Sequence, residues 1–155
     1  MYFVERGILA TMTNRRENSL RIRVASGDLD AAYELAMGLL WGSFGTPPDH
    51  EMIQEGVALL VRAFESGHAY AGYELATLST PFVEIGDLKM SSDEKFEIIL
   101  NTALTGNHAA ALEIYHRYFE RVDRATMRKI MTLAAGTGSV TAADILKSLP
   151  LQNGH

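Results

Sequence analysis

One short segment recurs along the chain, and this internal repeat constrains the fold more than any other feature of the sequence. Residues 26–36 and 66–76 match at seven of eleven positions, and the shared residues are Ser, Gly, Ala, Tyr, Glu, Leu and Ala. Residues 105–115 keep the Gly, a small pair and the Glu, and residues 137–146 form a fainter fourth copy. The glycines are Gly27, Gly67, Gly106 and Gly138. Their spacings of 40, 39 and 32 residues are typical of two-helix repeats.

Each copy has the features of a junction between two helices. A glycine just past the end of a helix adopts a left-handed backbone without steric cost, so we expect helices to end near these four glycines. Small residues follow each of the first three glycines and would let neighbouring helices approach closely. These are Ala31-Ala32, Ala71-Gly72 and Ala110-Ala111.

The segments between the copies have apolar residues at helical spacing. A helix is predicted from Asp49 to Glu65, entered through Pro47-Pro48 and capped by Asp49. Another is predicted over residues 93–104, opened by the capping box Ser91-x-x-Glu94. Strand signals are almost absent, and the sequence therefore predicts an all-α protein.

Residues 25–78 resemble the SEL-like repeat (SLR), a member of the tetratricopeptide-like (TPR-like) superfamily. The resemblance is carried by residues 39–49, LLWGSFGTPPD, and by residues 62–71, RAFESGHAYA, which precede Tyr73-x-Leu75. It implies a right-handed α–α superhelix of about three to four helix pairs. It also implies that the first helices line a concave surface that binds another protein, as an adaptor or regulator in a bacterial cytoplasm.

The repeats divide the chain into an N-terminal capping segment, residues 1–24, and a helical repeat domain, residues 25–155. In the first segment, Asn14-x-x-Glu17 is predicted to open a helix that continues through residues 20–24. The last, shorter unit is predicted to cap the other end of the stack. Residues 77–93 depart from the SLR pattern and predict a long connection, which is a secondary candidate for partner contact.

Composition excludes several function classes. The chain has no cysteine, which rules out disulfides, thiolate metal sites and thiol nucleophiles and fits a reducing compartment. With 14 Lys+Arg against 19 Asp+Glu, the net charge of −5 disfavours nucleic acid as a partner. The apolar runs match neither a signal peptide nor a transmembrane helix, so we expect a soluble cytoplasmic protein.

The sequence contains no pattern typical of a catalytic, cofactor or metal site. His68 and His108 lie near the same repeat position, which favours a structural role over a ligand pair. Carboxylates cluster near predicted helix starts, where they complement the helix dipole. The Gly-rich stretches lack the context of a phosphate loop. We therefore expect no enzyme activity, no cofactor and no metal, with a carboxylate or histidine hydrolase as the rival from another class.

The predicted binding residues lie on the first helices of the repeats. Solvent-facing positions and aromatic anchors there are Glu34, Met37, Trp41, Tyr70 and Glu74. By the SLR resemblance, Tyr33 and Tyr73 are instead expected to pack between helices. The partner is predicted to be another protein, which includes a toxin or enzyme if the chain is an immunity or inhibitor protein. Self-association to a homo-oligomer stays open.

A second candidate surface is basic. Arg117, Arg121, Arg124 and Arg128 would form one stripe if a single helix ran through them. Asp123 gives the alternative, because an aspartate before Arg124 is suited to cap a new helix and would divide the stripe. Arg117 and Arg121 are the predicted partner contacts on this surface, and a solvated face is favoured as the role of the arginines as a group.

Overall fold

A computed structural model of the chain describes residues 15–45 and 47–150, and this part contains helices and no strand. The predicted all-α class is confirmed. Helix α1 comprises helical residues 15–25. The remaining elements are α2 (Leu29–Trp41), α3 (His50–Glu65), α4 (Ala71–Thr77), α5 (Thr80–Ile85), α6 (Ser92–Ala103), α7 (His108–Arg117), a 3₁₀ turn (Phe119–Arg121), α8 (Arg124–Gly136) and α9 (Val140–Ser148).

The chain divides into two compact units between Lys89 and Met90. In the first unit, α3 packs against α2, α4 and α5. Its fully buried side chains include Leu35, Leu40 and Leu60. Gly56 lies at the α2–α3 crossing, where an added Cβ would stand 2.8 Å from the Leu40 Cγ. The absence of a side chain at residue 56 therefore allows these two helices to pack closely.

In the second unit, α6 packs against α7, and α8 packs against both α7 and α9. The buried side chains at these contacts include Ile99, Ile114, Ile130 and Met131. Apolar residues at helical spacing thus supply the core of each unit.

The predicted repeat turns are confirmed. Gly27, Gly67, Gly106 and Gly138 have φ angles of +92°, +94°, +91° and +109°, in the region that L residues rarely adopt. The small residues that follow are buried, and Ala31, Ala71 and Ala110 are each 0% exposed. The predicted helix starts are confirmed as well. The Asp49 carboxylate accepts from the Met52 N–H at 2.8 Å, and the Ser91–Glu94 capping box forms.

The long connection predicted over residues 77–93 is wrong, because it contains helix α5. The helix follows Ser79 and has Pro81 in its first turn, a position where the missing N–H of proline costs no hydrogen bond. Its end packs tightly on α3, since a Cβ added at Gly86 would stand 2.5 Å from the Val57 Cγ2.

The single basic stripe is also wrong. Helix α7 ends at Arg117, a 3₁₀ turn follows, and Asp123 caps α8 by accepting from the Thr126 N–H at 2.7 Å. The alternative reading, in which Asp123 opens a new helix, is confirmed. Arg117 and Arg121 therefore do not share one helical face with Arg124.

Part of the predicted N-terminal cap lies outside the described residues, namely residues 1–14 with Asn14. Within α1, Leu20 is 3% exposed and packs with Leu35, Leu39 and Phe44, whereas Ile22 is 72% exposed. The capping role itself stays a prediction. In the described ranges, no helix combines the length and apolar character needed to cross a membrane.

Candidate functional site

The residue after each repeat glycine distinguishes the second repeat from the others. Asp28, Asn107 and Ser139 each accept from the backbone N–H three residues ahead, at 3.0, 2.9 and 3.1 Å, and so cap the helix that follows. The second repeat has His68 at this position, and α4 begins only at Ala71, without a side-chain cap. The side chain of His68 is therefore available for other contacts.

His68 uses both ring nitrogens within the first unit. Its Nδ1 accepts from the Tyr70 N–H at 3.3 Å, and its Nε2 lies 2.9 Å from the Asp30 Oδ1. Because a backbone N–H can only donate, the neutral ring carries its proton on Nε2 and donates it to Asp30. The ring stacks on Tyr33 at a centroid distance of 4.7 Å, and the side chain is only 8% exposed. His68 thus joins the turn before α4 to helix α2.

A second polar contact joins the same two helices. The Tyr33 hydroxyl donates to the Glu74 Oε1 at 3.3 Å. Burial raises the pKa of Glu74 above its ordinary value, and the hydrogen bond from Tyr33 acts in the opposite direction. Burial, together with the nearby Glu74 carboxylate, raises the pKa of Tyr33 to about 12. Tyr33 therefore stays protonated and remains a hydrogen-bond donor at neutral pH.

Tyr70 is exposed and lies beside the stacked rings of His68 and Tyr33. Its ring is 6.2 Å from His68 and 6.4 Å from Tyr33, and the residue is 55% exposed. Residues 28–30 and 67–70 line an open groove of about 400 Å³ here. The groove combines an exposed aromatic ring with the Asp30 carboxylate, whose side chain is 81% exposed.

Trp41 is the last residue of α2, at the end of the helix opposite the groove. It is 55% exposed and contacts Phe82 of α5 edge-on, with ring centroids 5.3 Å apart. Glu34 and Met37 precede Trp41 at helical spacing, and Arg16 lies 4.0 Å from the Glu34 carboxylate. We call the surface formed by these residues the α2–α4 face. It comprises Asp30, Tyr33, Glu34, Met37, Trp41, Tyr70 and Glu74.

The structure brings five of the predicted binding residues onto this face. Trp41 and Tyr70 are exposed as expected, but Glu74 is half-buried, because α4 carries it against the Tyr33 hydroxyl. Tyr33 is half-buried and lies between α2 and α4, in agreement with its expected packing between helices. The ring has one side against His68 and its hydroxyl directed to Glu74.

The two predicted arginines of the second unit are committed to local contacts. Arg117 pairs with Glu113 at 3.0 Å. Arg121 pairs with Asp93 at 2.8 Å, and its guanidinium lies 4.2 Å from the centre of the Phe96 ring. Both guanidinium groups are therefore paired with carboxylates of the second unit.

Sequence reasoning missed Asp30, His68 and Phe82. The signal for His68 was its alignment with Asp28 and Asn107, positions where a helix cap is expected. His108 lies one residue further along its repeat, and its Nε2 contacts the Thr137 Oγ1 at 2.6 Å. The two histidines are thus not equivalent.

Across residues 15–45 and 47–150, no group of three or more His, Cys, Asp or Glu side chains is placed to hold a metal ion. No protein-family model matches the sequence, and neither a curated protein nor a solved structure matches it.

Proposed function

We propose that the chain is an SLR-like member of the TPR-like superfamily, a right-handed superhelix of about three to four helix pairs. On this proposal it is a non-enzymatic adaptor or regulator in a bacterial cytoplasm, and it binds a protein partner through the α2–α4 face. The four glycine turns and the alternation of helix pairs support the repeat architecture.

The observation that carries the binding proposal is the pair of exposed aromatic residues on this face. Trp41 and Tyr70 are each 55% exposed, although burying rings of this size in a core would stabilise the fold. Exposed tryptophan and tyrosine are the side chains that most often anchor protein interfaces.

The residues that contact the Trp41 and Tyr70 rings favour binding over catalysis. Phe82 contacts the Trp41 ring, and the His68–Tyr33 stack lies beside Tyr70. Both nitrogens of His68 are occupied, one by the Tyr70 N–H and one by Asp30, so the ring holds the turn in place. Rigid anchors lose little conformational entropy when a partner binds.

The proposal is tested by affinity capture from extracts of the source organism, with the wild type and a Trp41→Ala/Tyr70→Ala variant. The matched control is Phe64→Ala/Phe119→Ala, which removes two exposed aromatic rings that lie off the face. Circular dichroism and thermal unfolding establish that each variant is folded. We expect a stoichiometric partner that the wild type and the control retain and the face variant loses. Equal retention by all three would contradict the proposal.

A further inference from the structure

The second unit contains an example of how this chain holds a guanidinium. Arg121 lies between the Asp93 carboxylate, 2.8 Å from its Nη2, and the face of the Phe96 ring, 4.2 Å from its Cζ. A carboxylate balances the charge and accepts from an N–H donor, and an aromatic ring attracts the cation across its face. In the second unit, this pair of groups holds the arginine side chain through one hydrogen bond and one ring contact.

The groove of the first unit presents the same two groups. Asp30 offers a carboxylate on a side chain that is 81% exposed, and it is hydrogen-bonded to His68 through Oδ1. Tyr70 offers an aromatic ring that is 55% exposed. Among the residues that the structure describes, those lining the groove include no lysine or arginine. Asp28 also lines the groove but differs from Asp30, because it caps α2 and pairs with Arg23 at 2.8 Å.

We propose that this groove binds an arginine side chain in a basic segment of the partner protein, held between the Asp30 carboxylate and the Tyr70 ring. The inference rests on the proposed binding function and adds the chemistry of the partner. Glu34 lies one helical turn from Asp30 and adds a second carboxylate along α2, with Arg16 4.0 Å away.

The charge of Asp30 is essential to this proposal. The groove lies at the start of α2, where the helix dipole is positive and opposes a cation. Asparagine at residue 30 would keep an acceptor for the His68 Nε2–H and remove only the charge. Asp30→Asn is therefore a nearly isosteric test. Asp144→Asn is the matched control, because Asp144 is another exposed aspartate on a helix and lies 3.7 Å from Lys147, away from the groove.

The probe is a phage-displayed library of random peptides, selected on the wild type and depleted on the Trp41→Ala/Tyr70→Ala variant. We expect the surviving peptides to share an arginine. We expect their affinity to fall about tenfold or more with Asp30→Asn, as for the loss of a charged hydrogen bond, and to stay unchanged with Asp144→Asn. Replacing the shared arginine by alanine in a synthetic peptide should cause a similar loss, and this change leaves the protein untouched.

Two results would overturn the inference, and they are distinguishable. Face-dependent peptides that lack arginine, or that bind Asp30→Asn as well as the wild type, would refute the arginine site and leave the binding face standing. A selection that yields no peptide dependent on Trp41 and Tyr70 would count against the face and the arginine site together.

Discussion

The first and second repeats begin with nearly the same sequence but use the residue after the glycine differently. Asp28 caps its own helix, whereas His68 leaves α4 uncapped and contacts Asp30 and Tyr33 of helix α2. A repeat that gives up a cap loses local stability, and such departures from local rules are expected at functional sites. The difference therefore agrees with the proposed role of the α2–α4 face in binding.

The largest expected difference between repeats is in the stability lost when the turn glycine is replaced by alanine. Alanine at Gly67 would meet no atom within 4 Å and would suffer only from the left-handed backbone, at a cost of about 1 kcal/mol. Alanine at Gly106 would also stand 3.2 Å from the Thr137 methyl group, and we expect a total loss of about 2 kcal/mol. Urea denaturation of both variants measures the difference. Equal losses would show that the Thr137 contact relaxes without cost.

The next largest expected effect on stability comes from removing a helix cap in the third repeat. Asn107→Ala deletes the acceptor for the Ala110 N–H and should lower the free energy of unfolding by about 1 kcal/mol. Asn101→Ala, at an exposed position on α6, is the control and should change stability little. If both variants were equally stable, the cap in the third repeat would contribute nothing, and the contrast with His68 would lose its meaning.

Giving the second repeat a cap separates stability from binding. In His68→Asn, a new cap for α4 offsets the lost stack on Tyr33, so the free energy of unfolding should change by no more than about 0.5 kcal/mol. Capture of the partner should nevertheless weaken, because the turn that carries Tyr70 loses its tie to Asp30. His108→Asn is the control for capture. Full binding by His68→Asn would show that this tie does not shape the face.

The smallest expected effect is a pH dependence of stability that arises from Glu74. The pKa of Glu74 is raised in the folded state, mainly by burial, so the folded chain binds this proton more readily than the unfolded chain does. The carboxylate therefore weakens the fold at neutral pH, and this penalty disappears as the pH falls through the folded pKa to the ordinary value of 4.5.

Glu74→Gln should consequently be at least as stable as the wild type at pH 7, and the two should converge below pH 4.5. Tyr33→Phe removes the hydrogen bond that lowers the pKa of Glu74, so the stability of this variant should depend more steeply on pH. Urea denaturation across the pH range measures both. A constant gap between Glu74→Gln and the wild type would refute the assigned origin of the shift.

Local signals in the sequence predict most of the helices, and tertiary contacts decide the rest. The caps at Asp49 and Ser91 and the glycine turns depend on neighbouring residues alone, and each is confirmed. Helix α5 was missed although Ser79-Thr80-Pro81 is a typical helix start, because its six residues are too short to show a period.

The candidate site was only partly predictable, because tertiary contacts determine part of it. Trp41 and Tyr70 stand out as aromatic residues on first helices, and the structure exposes both. The half-buried state of Tyr33 depends on where α4 places Glu74 and where the turn places His68, and neither position follows from the residues next to Tyr33. Contacts between repeats, rather than the repeat pattern, determine this part of the face.

The most direct test of the binding face is site-specific photo-crosslinking. A benzophenone amino acid is introduced at Met37, in the middle of the face, and separately at Gln54, an exposed position on α3. Each protein is irradiated in extracts of the source organism, and the products are analysed by mass spectrometry. We expect one discrete crosslinked partner from Met37 and none from Gln54. The same partner from both positions, or a partner from Gln54 alone, would contradict binding through the α2–α4 face.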